Sequence, residues 1–136
     1  MEARTFDHGA DIGVLGEGRT IGEAFAGAAR AMFSVIVDLK GVVPRESVAI
    51  SCEATDKELL LVRWLNALLA EADLRGTVFC EFEVRLREGG LDGTARGEPF
   101  ERGRHVPGVE VKGATLTELR VAREGGLWRA QTVVDV

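Results

Sequence analysis

The chain has 136 residues, 46% of them apolar and 29% charged, and a formal net charge of −5. That length holds one domain around a single core, and the balance excludes a disordered chain and one carrying the roughly 18 consecutive apolar residues that span a bilayer. The acidic charge argues against a surface built to grip a phosphate backbone, and residues 1–7 hold no apolar signal core, so a single cytoplasmic domain, 1–136, is expected.

In chain order, an apolar run at 12–15, interrupted and bounded by glycines, predicts a strand entered through a polar loop. Thr20-Ile21-Gly22-Glu23 then sets a Thr cap three residues before a Glu. Ile21, Ala24, Phe25, Ala28, Met32, Phe33 and Ile36 follow at helical spacing, predicting an amphipathic helix over 20–37, closed off by Gly41 and Pro44. Alternation at Val48, Ile50, Cys52 and Ala54 predicts a strand over 48–54. Thr55-Asp56-Lys57-Glu58 repeats the capping pattern and opens a leucine-rich run over 59–74 that contains Trp64 and Asn66. This second helix is apolar on more than one stripe, so it is expected to lie across a sheet and under other structure. Strict alternation over 77–86, the turn Gly89-Gly90 and a return over 91–97 predict a hairpin. Residues 98–108 read as a charged loop, 109–112 and 115–123 as strands, Gly125-Gly126 as a turn and 127–136 as a closing strand. The expected class is α+β, two helices packed on a mixed, mostly antiparallel sheet. Cys52 and Cys80 fall on the apolar alternation of their strands and read as buried free thiols without zinc spacing.

Few residues remain for chemistry. His8 and Asp11 precede the first strand, where Asp11 is either a turn residue or a metal ligand. Asp135 lies at the far end of the chain. Brought beside Asp11 and a terminal carbonyl or carboxyl oxygen, it would complete an oxygen donor set suited to Ca²⁺, Mg²⁺ or Mn²⁺. Lys112 reads first as a solvated strand residue alternating with Val109 and Val111, with pairing to Glu98 or contact with a partner's phosphate as its functional readings. His105 reads as exposed, and its loop with Arg85, Arg87 and Arg96 reads as a mildly basic patch. No Walker-type loop, GxSxG elbow or HExxH spacing occurs.

Phe6-x-His8-x-Ala10-Asp11-Ile12-Gly13, Glu23-Ala24-Phe25, Ala31-Met32-Phe33, Leu59-Leu60, Trp64-Leu65-Asn66, Gly97-Glu98, Val111-Lys112 and Asp135-Val136 follow one another over nearly the whole chain. In that order and with those gaps they resemble the archease pattern. The resemblance implies an archease-like α+β domain and a non-catalytic cofactor of the RtcB-type RNA ligase of tRNA splicing and RNA repair. That ligase joins a 2′,3′-cyclic or 3′-phosphate end to a 5′-hydroxyl end. The helper promotes its guanylylation from GTP and its multiple turnover, and meets RNA only indirectly through it. The resemblance also implies a divalent cation, with Ca²⁺ foremost and Mn²⁺ or Mg²⁺ as alternatives, held at Asp11, Asp135 and Val136, and contact roles for His8, Glu98 and Lys112. Two stretches depart from the pattern. His8-Gly9-Ala10-Asp11 stands for His-Thr-Ala-Asp, and Lys112-Gly113-Ala114-Thr115-Leu116-Thr117 lacks the family's Tyr-His pair. The competing readings are a metal-dependent phosphohydrolase built on Asp11 and Asp135, and a metal-independent, chaperone-like modulator of RNA-processing proteins.

Overall fold

The helix predicted over 20–37 forms as α1, Ile21–Ile36, in the computed structural model, which describes residues 2–136. Thr20 caps it, its Oγ1 accepting from the Glu23 N–H at 3.1 Å, while the Glu23 carboxylate turns back to the Arg19 N–H at 2.9 Å. Burial extends well beyond one stripe, from Gly22 and Ala24 through Ala28 to Met32 and Phe33. The reason is that sheets pack on two sides of this helix.

The strands expected in one sheet divide into two. In the first, β1 (Glu2–His8), β2 (Asp11–Gly18) and β8 (Leu127–Asp135) lie in that order, and β6 (Gly113–Ala114) and β7 (Arg120–Glu124) share the far edge of β8. The second sheet has the order β3 (Glu46–Glu53), β5 (Gly90–Pro99), β4 (Thr77–Arg87). Every pairing between these strands is antiparallel. Helix α1 packs on β2 and β8 of the first sheet and on β4 of the second. At β2 the approach is backbone to backbone: a Cβ on Gly16 would stand 2.0 Å from the Ala24 carbonyl oxygen and 2.3 Å from the Ala28 nitrogen. On the opposite side Phe33 packs against Phe79 and Phe82 of the second sheet, at centroid distances of 5.6 and 5.5 Å.

Helix α2 (Lys57–Arg75) lies across β3 and β4 and reaches β6 and β7, so it touches both sheets as its apolar breadth suggested. Leu60, Leu61, Trp64, Leu65 and Leu68 are fully buried, each such side chain contributing about 1.5–3 kcal/mol of burial free energy. The Trp64 indole N–H donates to the Phe25 carbonyl at 3.1 Å and ties the two helices together. The cap of α2 is Asp56 rather than Thr55, its Oδ1 accepting from the N–H groups of Glu58 and Leu59. Glu58 consequently does not close a capping box, and its carboxylate accepts instead from the Val121 N–H of β7 at 3.2 Å.

Three further expectations are corrected. The segment before Asp11 is a strand, β1, rather than a loop. As an edge strand with only Ala3 and Phe6 half-buried, it carries little apolar alternation. Residues 109–112 are not a strand, because the backbone there serves the end of α1: Gly108 and Val109 N–H groups donate to the Ile36 and Val35 carbonyls at 2.8 and 3.0 Å. Strand structure over 115–123 begins only at Arg120, after a turn in which Glu118 takes a φ of 55°. Cys52 and Cys80 are buried and free, as expected. Among the described residues no helix is long and apolar enough to cross a membrane.

Gly16→Val places its branched side chain into helix backbone that cannot yield. The expected outcome is a loss of at least about 3 kcal/mol, the upper end of ordinary overpacking, or failure to fold, checked by urea denaturation followed by circular dichroism.

Candidate functional site

Asp11 opens β2, and Asp135 closes β8. The pairing of Ile12 with Val134 sets the two acids on neighbouring strands at the same end of the first sheet. His8 lies opposite Asp11 across the β1–β2 turn, where Gly9 adopts a φ of 60°, a left-handed conformation that glycine takes without a Cβ penalty. On the other side of β8, Gly113 pairs with Asp135, and the Lys112 N–H donates to the Asp135 carbonyl at 2.8 Å. The Val136 N–H donates to Asp11 Oδ1 at 3.4 Å. The backbones of His8, Asp11, Lys112, Asp135 and Val136 therefore meet at one pole.

The donors at this pole are oxygens. Among the described residues no group of three His, Cys, Asp or Glu side chains gathers around one point. The pole offers instead two carboxylates, of which Asp11 is half-buried and Asp135 exposed, together with main-chain oxygens. Neither carboxylate is ion-paired with a Lys or Arg among the described residues. That set fits a hard cation, which takes carboxylate and carbonyl oxygens and fills its remaining positions with water, and it does not fit zinc. Beside the pole, exposed Lys112 lines a cleft of about 560 Å³ together with Asn66, Asp73, Thr77 and Glu110. Asn66 of α2 reaches over to β6, its Oδ1 accepting from the Ala114 N–H at 2.9 Å and its Nδ2 lying 3.4 Å from the Ala114 carbonyl oxygen.

Glu98 does not join Lys112. It is wholly buried near the end of β5, where it cannot face a partner directly. Arg104 grips it with two nitrogens, at 2.7 and 3.0 Å, Arg45 reaches it at 2.7 Å, the Val43 N–H donates at 2.7 Å, and His105 Nε2 lies 2.9 Å away. Arg104 first, then the Val43 N–H, His105 and Arg45, hold the Glu98 carboxyl far below the usual carboxylate range against the opposing effect of burial. His105, expected to be exposed, is 3% exposed. Its Nδ1 accepts from the Glu101 N–H at 2.9 Å, so the ring is the Nε2–H tautomer and donates to Glu98. The sequence singles out Glu98 and His105 separately, but not the cluster that joins them. Glu98, Glu101, Arg104 and His105 lie close together in the chain, but Val43 and Arg45, which complete the donor set, come from far upstream, and no local pattern records that meeting. Within the expected basic patch, Arg87 pairs with Glu53 and Asp92, Arg96 with Glu83, and Arg104 with Glu98 and Glu101, so part of its charge is neutralised.

Comparison with known proteins draws the whole chain together. The model of the Archease protein family (MTH1598/TM1083) matches residues 4–136. Protein archease of Aeropyrum pernix is 38% identical over 135 residues, covering 96% of this chain and 94% of that one. Protein archease of Methanopyrus kandleri is 37% identical over 140 residues, covering both chains in full, 100% of each. Among solved structures, the solution structure of Methanobacterium thermoautotrophicum protein 1598 matches with a TM-score of 0.87 at 33% identity over 98% of both chains. An archease from Thermotoga maritima, described as a possible chaperone, shares the fold with a TM-score of 0.62 at 20% identity, over 96% of this chain and 94% of its own.

The Glu98 cluster carries a pH prediction. The folded-state carboxyl titrates well below its unfolded value of about 4.3, so its contribution to stability is complete above that value and lost as pH falls toward the folded-state one. Glu98→Gln is expected to lower the melting temperature at pH 7 more than any exposed charge substitution does, and the gap from wild type should narrow steadily below pH of about 4. Melting curves recorded between pH 7 and pH 2.5 check both parts.

Proposed function

The chain belongs to the archease family, and from that premise we propose that it is a non-catalytic protein cofactor of an RtcB-type RNA ligase, acting through a divalent cation held at Asp11, Asp135 and Val136. The observation that carries the reading is the convergence at one pole of residues distant in the sequence, with two carboxylates among them that pair with no Lys or Arg of the described residues. Asp11 and Asp135 supply anionic oxygens, and Val136 supplies a main-chain oxygen. When bound, the cation supplies positive charge that neutralises phosphate during guanylylation of the ligase. Lys112, exposed at the rim and one residue from the Gly113–Asp135 pair, offers a cation to a partner's phosphate. His8 supplies a polar contact on the opposite flank of Asp11. Calcium suits the small, flexible all-oxygen set, and manganese or magnesium can use the same donors. Cytoplasmic localisation and indirect contact with RNA through the ligase follow from the same reading.

The test is multiple-turnover ligation by a matched RtcB-type ligase with GTP and Mn²⁺, with and without this protein. Wild type is expected to stimulate turnover. Asp11→Ala and Asp135→Ala are expected to abolish stimulation and to weaken Mn²⁺ binding by at least roughly 100-fold, the upper end of what even outer-shell losses cost. Stimulation that survives Asp11→Ala would favour a metal-independent, chaperone-like modulator, and nucleotide or RNA turnover by the protein alone would favour a phosphohydrolase.

A further inference from the structure

We propose that Asn66 is a positioning residue for the pole at Asp11 and Asp135, acting through the two-residue strand β6; the inference rests on the metal reading above. Asn66 stands mid-way along α2 on its exposed side, where packing asks nothing of it and where asparagine is a poor helix former. Its carboxamide is nevertheless engaged, Oδ1 with the Ala114 N–H and Nδ2 with the Ala114 carbonyl oxygen. A carboxamide presents the same donor and acceptor as a peptide unit, so Asn66 occupies the place of a further strand on the open edge of β6.

Strand β6 needs such a partner. It is two residues long, its flanks at 109–112 and 115–119 lie outside regular strand, and β8 holds it on one side only. From Ala114 the path to the pole is short: Gly113 pairs with Asp135, and the Lys112 N–H holds the Asp135 carbonyl. With Asn66 removed, β6 loses its anchor to α2, and Asp135 and Val136 lose the wall that sets their oxygens relative to Asp11. Groups that orient ligands without touching the ion typically govern about 10–100-fold in affinity.

The same helix supplies a control. Glu58 accepts from the Val121 N–H of β7, on the same edge of β8, but Val121 pairs with Ala130, remote from Asp135. The experiment is calorimetric titration with Mn²⁺ alone into wild type, Asn66→Ala, Glu58→Ala and Asp11→Ala, with melting temperatures and amide exchange at Ala114 measured on each. Asn66→Ala is expected to weaken Mn²⁺ binding about tenfold and to speed exchange at Ala114, whereas Glu58→Ala, at a comparable loss of melting temperature, keeps wild-type affinity. Equal weakening in the two variants would reduce Asn66 to general stability and overturn the inference. Wild-type affinity in Asn66→Ala beside lost binding in Asp11→Ala would overturn it while leaving the metal reading intact, and a wild type that binds no Mn²⁺ would overturn both.

Discussion

The narrowness of α1 governs the rest of the molecule. Two sheets close on this helix, and at Gly16 the β2 backbone rests directly against helix backbone with no side chain between them. Such an approach demands glycine on the strand and small residues, Ala24 and Ala28, on the facing helix. The bulk is displaced to the other side, where Phe33 meets Phe79 and Phe82 of the second sheet. Because interiors are packed to near-crystalline density, the depth of this contact fixes how far β2 sinks toward the core, and with it the height at which Asp11 emerges.

The pole is a product of sheet closure rather than of any local motif. Asp11 and Asp135 sit at the ends of two strands that are far apart in the chain, and the backbone of Val136 bonds to Asp11 across 125 residues. The two acids do not meet until β2 pairs with β8. Any ion held there draws its affinity from the folded state and returns it as stability, so the site and the first sheet stand or fall together. The second sheet carries its own polar anchor, in which a buried Glu98 collects donors from 43–45 and 104–105. Removing that carboxylate would leave the buried His105 and the Val43 N–H without their acceptor.

Much of this architecture could be read in advance, and the exceptions have physical causes. Both helices, the 77–97 hairpin and the closing strand announce themselves through local periodicity and turn glycines, signals that need no knowledge of distant residues. Strand β1 was hidden because an edge strand exposes nearly everything, so Glu2, Arg4 and Asp7 carry charges where an inner strand would alternate. The 109–112 run reads as a strand because Val109 and Val111 alternate, yet its Val109 N–H closes the end of α1 and its Lys112 N–H goes to the Asp135 carbonyl. Asp11 and Asp135 could be chosen from resemblance and donor chemistry, but that they meet depends on a register no local pattern records. His105 reads as exposed from its charged loop, yet it is buried against Glu98, whose carboxylate is taken up by Arg45 and Arg104 rather than by Lys112. Asn66 left a faint trace, a polar amide in the middle of an otherwise good helix, which gains meaning only once β6 is seen beside it.

The long separation between β2 and β8 also bears on biosynthesis. A ribosome adding about 5–20 residues per second leaves β2 without its partner for roughly 6–25 s while the intervening chain is made. During that interval α1 and the 77–97 hairpin can form, since their contacts are local or nearly so, whereas the pole cannot. A nascent or prematurely terminated chain that stops short of β8 thus displays no assembled oxygen cradle. The pole at Asp11 and Asp135 therefore assembles only once β8 has been made and paired with β2.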